Sequence, residues 1–367
     1  MSLLRKPSRR KMEQWYIKAR MHSVSQDETK NVKNRLKSIN GGYNGSMAEF
    51  RQTVIPYWKQ FGIKPKKYWY DLLCAGLDHY DPRYIPDTIW YEDILPYFNY
   101  MTTNKAYRDK GMYSRLLTDV KKPETVAKNI AGYYYNGDKD EPITLEEAID
   151  LCKNEEHLII KPSIFSGSGR KMTFYDRDLP ESESIETIFN RFKYNFVVQR
   201  LVKQHPVLAA FNEGSLNTVR VLSFYFKGKV HILSTILRMG TAGSRVDNIS
   251  AGGVSCVIGP DGRLAEKGVN RKSEWMEEHP NGIRFRDVTV PSFDRIIETA
   301  KRLHPTLPYF ALLGWDFAVD ESGDPVCVEF NTITEPNQIS CGPTFGDLTD
   351  EVLRDVFIEK SRKDAFY

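Results

Sequence analysis

No run of apolar residues in this chain is long enough to cross a bilayer, and its basic start is not followed by the apolar core of a secretory signal. The five cysteines (Cys74, Cys152, Cys256, Cys327, Cys341) are odd in number, widely spaced and free of any C-x-x-C pair. Most sit inside apolar runs, as reduced buried thiols do. These absences lead us to expect a cytoplasmic protein with no membrane insertion. Internal repeats and low-complexity stretches are also missing. So are the G-x-x-x-x-G-K-[ST] phosphate loop, the H-R-D loop of protein kinases and any persuasive Ser-His-Asp or Cys-His set. The net charge of +4 is too mild to argue for nucleic acid, and none is expected as a partner. The basic cluster Arg5, Lys6, Arg9, Arg10, Lys11, Lys18 and Arg20 reads as a solvated helix face.

What is present is ordinary globular composition, 41% hydrophobic and 27% charged over 367 residues, enough for two or three lobes. Residues 1–95 read as a helical, aromatic-rich extension. Phe50, Val54, Trp58 and Phe61 recur at helical spacing and Gly62 is placed to stop them. Residues 63–90 show no clean period. From residue 96 the texture changes. Asn104 is placed to cap a helix running from Lys105 through Leu116 and Leu117. Thr144 to Glu147 is a capping box. Strands are expected over 157–161, up to Tyr175 and over 196–201, with a helix carrying Ile185, Ile188, Phe189 and Phe192 between the last two. Residues 96–201 thus form a first lobe. In the second, 202–367, a hairpin turns at Lys227-Gly228, a strand covers 253–258, and Ser292 caps a helix with Phe293, Ile296, Ile297, Ala300 and Leu303 on one face. A second hairpin and a final helix with Leu348, Val352, Leu353, Val356 and Phe357 follow. The whole reads as an α+β chain.

The hairpin at 314–331 carries the most chemistry. Alternation puts Trp315, Phe317, Val319, Val326, Val328 and Phe330 on one face. If Val319 lies opposite Val326, then Asp316 faces Glu329 on the other side, with Asn331 and Gly314 beyond and Ala318 and Cys327 before them. Opposed carboxylates repel unless something positive sits between them. Oxygen-only donors of this kind suit Mg²⁺ better than zinc. A solvated acidic face is the simpler reading of the hairpin alone.

Other groups supply a context. Gly167 and Gly169, between two expected strands, form a loop whose backbone can approach an oxyanion closely. Lys161 ends the strand before that loop, and Lys105 heads an earlier helix. Arg220 and Arg238 sit within apolar strand runs, where burying a guanidinium without an anion is costly. Asp247-Asn248 and Gly252-Gly253 add a polar turn. Four cations with a divalent metal are about what a triphosphate needs.

The order of these pieces resembles the ATP-grasp superfamily, and within it the sugar-transfer-associated group; the ligases that add glutamate to a small-subunit ribosomal protein are more distantly similar. The resemblance runs over residues 104–340. Its motifs are NK at Asn104-Lys105, IIKP at 159–162, SGSG at 166–169, VVQRLV at 197–202 and NTVRV at 217–221. ILR at 236–238, DN…GG at 247–253, GWD at 314–316 and VEFN at 328–331 follow.

The resemblance implies two α+β lobes gripping ATP behind the helical extension. Lys105 and Lys161 would bind phosphates under the loop of Ser166, Gly167, Ser168 and Gly169. Gln199 and the backbone of Arg200, Leu201 and Val202 would hold adenine. Arg220 and Arg238 would face the γ-phosphate, Asp316, Glu329 and Asn331 would hold Mg²⁺, and Asn248 would lie near that metal. The implied reaction joins a small-molecule or peptide carboxylate to a nucleophilic acceptor through an acyl phosphate, in surface polysaccharide or peptide/natural-product biosynthesis. A sugar or alcohol phosphotransferase and a non-catalytic scaffold remain alternatives. The segment 332–338 departs from the family's small-Pro-Gly turn, in the region that commonly borders the acceptor, and residues 1–95 lack the family's frequent Gly-rich α/β start.

Overall fold

The computed structural model describes residues 9–38, 45–164, 171–179, 181–247 and 252–361. Its first sheet is antiparallel and built from β1 (Thr125–Ile130), β2 (Tyr133–Asn136), β3 (Glu141–Ile143), β4 (His157–Pro162), β5 (Thr173–Asp176) and β6 (Phe196–Arg200), in the order β3-β2-β1-β6-β4-β5. Two helices, Leu145–Lys153 and Ile185–Phe192, belong to this lobe. The first opens on the expected capping box: Thr144 Oγ1 accepts from Glu147 N at 3.1 Å and Glu147 Oε2 accepts from Thr144 N at 2.7 Å. Leu158, Ile160 and Val198 pack with Ile188 and Phe189 of the second helix. The period of two then turns Ile159, Lys161 and Gln199 to the opposite face of the sheet.

The second sheet contains β7 (Thr218–Phe226), β8 (Lys229–Met239), β9 (Val254–Ile258), β10 (Leu264–Asn270), β11 (Trp275–Met276), β12 (Leu312–Val319) and β13 (Pro325–Asn331), ordered β11-β10-β9-β8-β7-β12-β13. Lys227 and Gly228 both take positive φ, as a two-residue hairpin turn requires. The helix Phe293–Leu303 covers the face that carries Val219, Val221, Leu237, Trp315, Phe317 and Phe330. Ser292 precedes this helix without capping it: its φ is +53° and its hydroxyl donates to Gly323 O at 2.6 Å, tying the helix start to the β12–β13 turn.

The opposite face of that sheet is divided. At one end Leu222, Phe224, Phe226 and Leu312 are buried under the N-terminal helices. At the other end Thr218, Arg220 and Asp316 are left for polar work. The N-terminal region contains the helix Arg9–Ser38 and a helical run over 47–59 that buries Phe50, Val54 and Trp58 and stops at Gly62, φ +73°. Residues 63–90 hide a helix, Lys67–Leu73, whose Trp69, Tyr70, Leu72 and Leu73 are all buried. A helix enclosed on nearly every side shows no apolar stripe. These aromatics share one core with Phe345, Val352, Leu353 and Val356 near the C-terminus.

Hydrogen bonds tie the same region to the chain that follows β13. Asn99 Nδ2 donates to Leu312 O and Thr332 O, each at 2.8 Å, and Trp90 Nε1 donates to Thr334 O at 2.8 Å. The amide of Gln338 both accepts from Ile85 N (2.8 Å) and donates to Ile85 O (2.6 Å).

The helix expected from Lys105 to Leu117 is instead three short pieces, Asn104–Tyr107, Lys110–Met112 and Tyr113–Leu116. Asp109 takes the Gly111 N–H at 2.9 Å, and a Cβ on Gly111 would stand 3.0 Å from Ile130 Cγ1. Close packing against β1 therefore breaks the helix at a glycine. Asn104 is not the cap; that place falls to Thr103, and Asn104 Oδ1 accepts from buried Thr332 at 2.7 Å.

Candidate functional site

Residues of both sheets line one cavity of about 790 Å³. Seven cationic residues other than Arg200 and five carboxylates border it, a balance that suits an anionic occupant. Its polar wall comes from alternate positions on three neighbouring strands. Asp316 on β12 has Arg220 of β7 directly opposite on one side and Glu329 of β13 directly opposite on the other. The expected pairing of Asp316 with Glu329 and of Trp315 with Phe330 is thus present. Beyond Asp316 the register slips by one residue, so Phe317 pairs with Cys327 and Val328 is the extra residue of a bulge. Cys327 enters the core in the place expected for Val328, and Val328 lines the cavity.

The like charges on the two strands are offset by protein cations. Arg220 Nε and Nη2 meet Asp316 Oδ1 and Oδ2 at 2.5 and 3.1 Å, and Arg238 Nη2 lies 3.1 Å from Asp316 Oδ1. Arg238 also donates to Thr218 Oγ1 at 2.8 Å and lies 3.4 Å from Asp247, which itself accepts from the Thr218 hydroxyl. Glu329 Oε2 is paired with Lys110 Nζ at 2.8 Å, and Asn331 Nδ2 lies 3.3 Å from both Asp316 Oδ2 and Glu329 Oε1. Burial pushes Glu329 up, but the charges of Lys110, Lys161 and Arg220 outweigh it and hold the carboxyl well below its usual range. Burial likewise opposes the charge on Arg220, and Asp316 more than restores it. Burial raises Asp247 despite Arg238 and Thr218.

Lys161 is the exception. It is 8% exposed, and among the described residues its ammonium has no hydrogen-bond or ion-pair partner. Burial first, and the neighbouring Lys110 second, bring it down to about 8, with Glu329 opposing. Two ammonium groups with one carboxylate between them form a site that an incoming anion would relieve.

Lys161, Gln199, Arg200, Leu201, Val202, Arg220, Arg238, Asp316, Glu329 and Asn331 all border this cavity. Arg200 turns its side chain outward to Glu155, at 2.7 Å from each of two guanidinium nitrogens, which leaves its main chain for the cavity. Lys105 is set apart. It is exposed, its ammonium lies 6.0 Å from the Tyr16 ring, and the cavity lining does not include it. The break at Gly111 brings Lys110 to the site instead: its N–H bonds Ser163 O at 2.9 Å at the end of β4. Sequence reading also passed over Arg108, Thr218 and Arg245, whose guanidinium stacks 3.7 Å from the Phe174 ring centroid. The Asp109-Lys110-Gly111 turn was the signal available for Lys110. Residues 166–169 and Asn248 lie outside the described residues.

The linker end of the cavity is less charged. Pro123, Ile159, Met172, Phe174, Leu201 and Val202 line it together with Gln199. Gln199 Nε2 donates to Thr125 Oγ1 at 3.2 Å, while its Oε1 is buried without a partner among the described residues. An orphan acceptor beside apolar walls fits a flat heterocycle that carries an amino group.

The donor chemistry beside Asp316 fits a hard divalent cation. Two carboxylate oxygens converge on one point, now held by the Asn331 amide, and turning that amide presents its oxygen instead. Asp316 is already held by two guanidiniums, so Glu329 and Asn331 are the freer donors. Among the described residues no group of three or more His, Cys, Asp or Glu side chains stands close enough to hold a metal.

No curated protein sequence matches the chain. Residues 175–343 match the family described as sugar-transfer associated ATP-grasp. Among solved structures the chain is similar to D-alanine–D-alanine ligase from Bacillus anthracis in complex with ATP, with 18% identity, TM-score 0.39, and coverage of 71% of this chain and 68% of that one. It is similar to the ADP complex of N5-carboxyaminoimidazole ribonucleotide synthetase, with 10% identity, TM-score 0.39 and 65% and 47% coverage. A third is biotin carboxylase from Campylobacter jejuni in its β,γ-ATP complex, with 12% identity, TM-score 0.42 and 70% and 46% coverage. This chain therefore spans less than half the length of two of the three. Over residues 175–343, a little under half of its length, the chain thus resembles the sugar-transfer associated ATP-grasp family.

Proposed function

We propose that this protein is an ATP-dependent ligase that activates a carboxylate as an acyl phosphate and passes the acyl group to a nitrogen nucleophile. One observation carries the reading: Lys110, Lys161, Arg220 and Arg238 converge with Asp316, Glu329 and Asn331 on one cavity whose other end is apolar and holds an orphan amide oxygen. Gln199 and the 200–202 main chain hold the adenine. Lys161 and Lys110 take the phosphates, with Lys110 in the role expected of Lys105. Magnesium, when held by Asp316, Glu329 and Asn331, supplies neutralisation of the charge between the terminal phosphates. A substrate carboxylate oxygen attacks the γ-phosphorus, the bond to the bridging oxygen breaks, and ADP leaves. The neutral amine then bonds the acyl carbon, the carbon–oxygen bond to phosphate breaks, and the nitrogen gives up a proton as phosphate departs. Arg220 and Arg238 hold the transferring group in line, which is most of what phosphoryl transfer asks of a protein.

The test is incubation with ATP, MgCl₂ and pooled acids, with and without hydroxylamine. Hydroxamate formation with stoichiometric ADP supports the ligase. ADP release and a phosphorylated product without hydroxamate would mean a phosphotransferase. No ATP binding by calorimetry would leave a scaffold.

A further inference from the structure

A second cavity, of about 630 Å³, adjoins the first and shares Ile236, Glu335 and Asn337 with it. It opens between the helix Arg9–Ser38, residues 87–91, the β8–β10 region and the segment after β13. Glu28, Asp87 and Glu335 face it from three different parts of the chain. Within reach of Asp87 the charged groups are Glu28, Glu335 and Arg35, so one cation answers three carboxylates. Arg35 already spends its Nε on Ser273 Oγ at 2.7 Å, and Arg271 and Lys272 stand on the exposed rim. Among the described residues neither Asp87 nor Glu335 has a side-chain hydrogen bond or ion pair. This contrasts with the first cavity, where Asp316, Glu329 and Asp247 each face a cation.

Tyr91 is the independent sign of a ligand. It is 3% exposed, it lines the second cavity, and among the described residues its hydroxyl has no hydrogen-bond partner. The hydroxyl is not sealed in, so an occupant of the cavity can reach it. The charges around that hydroxyl are Glu335, Asp87, Glu28 and, across the shared wall, Arg220. One buried polar side chain therefore looks toward both the acidic cluster and the guanidinium of the first site.

We propose that the second cavity is the acceptor subsite and that it takes a molecule carrying a protonated primary amine, seated against Asp87, Glu28 and Glu335 with the Tyr91 hydroxyl as a further partner. The proposal rests on the ligase reading above and adds the class and location of the nucleophile. Burial, Glu28 and Glu335 together push the Asp87 carboxyl up to about 8, and an ammonium is the group that would return its charge. Because Glu335 and Asn337 border both cavities, an ammonium seated there can pass one proton to a carboxylate of the cluster, and the nitrogen, its lone pair freed, can then bond the acyl carbon made beside Arg220 as the carbon–oxygen bond to phosphate breaks.

The test uses the full chain with ADP and MgCl₂ and reads saturation-transfer NMR of D-glucosamine and 1,5-diaminopentane against D-glucose and D-glucuronate. The amines should show transfer and the neutral and anionic probes should not. Asp87→Asn and Glu335→Gln should each weaken amine binding roughly tenfold, the usual loss for a charge-assisted hydrogen bond. Tyr91→Phe should weaken it less, and ADP affinity should stay within about twofold in Asp87→Asn and Tyr91→Phe, whose side chains do not border the first cavity. Glu335 is exposed, so Glu335→Gln remains informative if Asp87→Asn fails to fold. Amine transfer that persists in these variants, or preferential binding of D-glucuronate, while ADP binds normally, overturns the subsite and leaves the ligase reading standing. Failure of the wild-type protein to bind ADP overturns both.

Discussion

Arg220 and Asp316 face each other in register on adjacent strands and close a two-point ion pair, Nε–Oδ1 2.5 Å and Nη2–Oδ2 3.1 Å, at a depth where both side chains are nearly inaccessible. Breaking such a pair costs more than removing it, because the survivor is left buried and charged.

Asp316→Leu should therefore destabilise the protein by about 3–5 kcal/mol, and adding Arg220→Met should recover more than half of that. Urea unfolding of the two single variants and the double variant measures the coupling. Strict additivity would show that the pair is held apart in solution.

Lys161 sets a pH dependence for ligand binding. Its ammonium lies near 8 in the free protein, below the ordinary lysine value of 10.5. An anion beside it restores the proton, so affinity for ATP with MgCl₂ should fall as pH rises above about 8, by up to roughly tenfold per unit. Calorimetry from pH 7 to 9.5 shows this, and Lys161→Arg should flatten the profile.

The same group affects folding with a definite sign. Between about 8 and 10.5 the unfolded chain keeps a proton on Lys161 that the folded chain has lost, so this term makes stability rise with pH across that window. Lys161→Met should stabilise the ligand-free protein at pH 7, on the order of 1–3 kcal/mol, while weakening ATP binding. Lower stability in that variant would mean that Lys161 has a partner in solution.

Glu329→Gln should keep the fold, since an amide oxygen still accepts from Lys110, and lose at least about a hundredfold in turnover with a raised magnesium requirement. An ADP-release assay titrated with MgCl₂ reads both. An unchanged magnesium curve would remove Glu329 from the metal site.

Much of this was written in local pattern. The capping box at Thr144 and the hairpin at Lys227-Gly228 rest on neighbours within a few positions, and the opposition of Asp316 to Glu329 on one turn and the alternation of the two strands beside it. What pattern missed depends on distant packing. The bulge at Val328 leaves the alternation of residues unaltered as a string and yet exchanges which of Cys327 and Val328 enters the core. Lys105 and Lys110 are both near a helix start, and contact between Gly111 and Ile130 decides which ammonium reaches the cavity. Ser292 has the right chemistry for a cap, but Gly323 O takes its hydroxyl.

Asn99 gives a test of the N-terminal region as part of the site. Asn99→Leu leaves Leu312 O, Thr332 O and Leu312 N without their side-chain partner and should cost on the order of 2–4 kcal/mol. Urea unfolding checks the cost. A change below about 0.5 kcal/mol would show that the segment after β13 does not depend on this contact.

The chain enters the first sheet at Glu124 and leaves it at Arg200, and these residues are bonded to each other, Arg200 N to Glu124 O at 3.0 Å. Entry and exit thus lie side by side, and the six-stranded lobe they bracket is held a third time, where Lys110 N donates to Ser163 O, Gly111 packs on Ile130 and the Ser114 hydroxyl meets Asp140. Lys161 rides on that lobe, whereas Arg220, Arg238 and Glu329 belong to the other sheet. Any change in the spacing of these charges therefore has to carry the 109–111 turn with it.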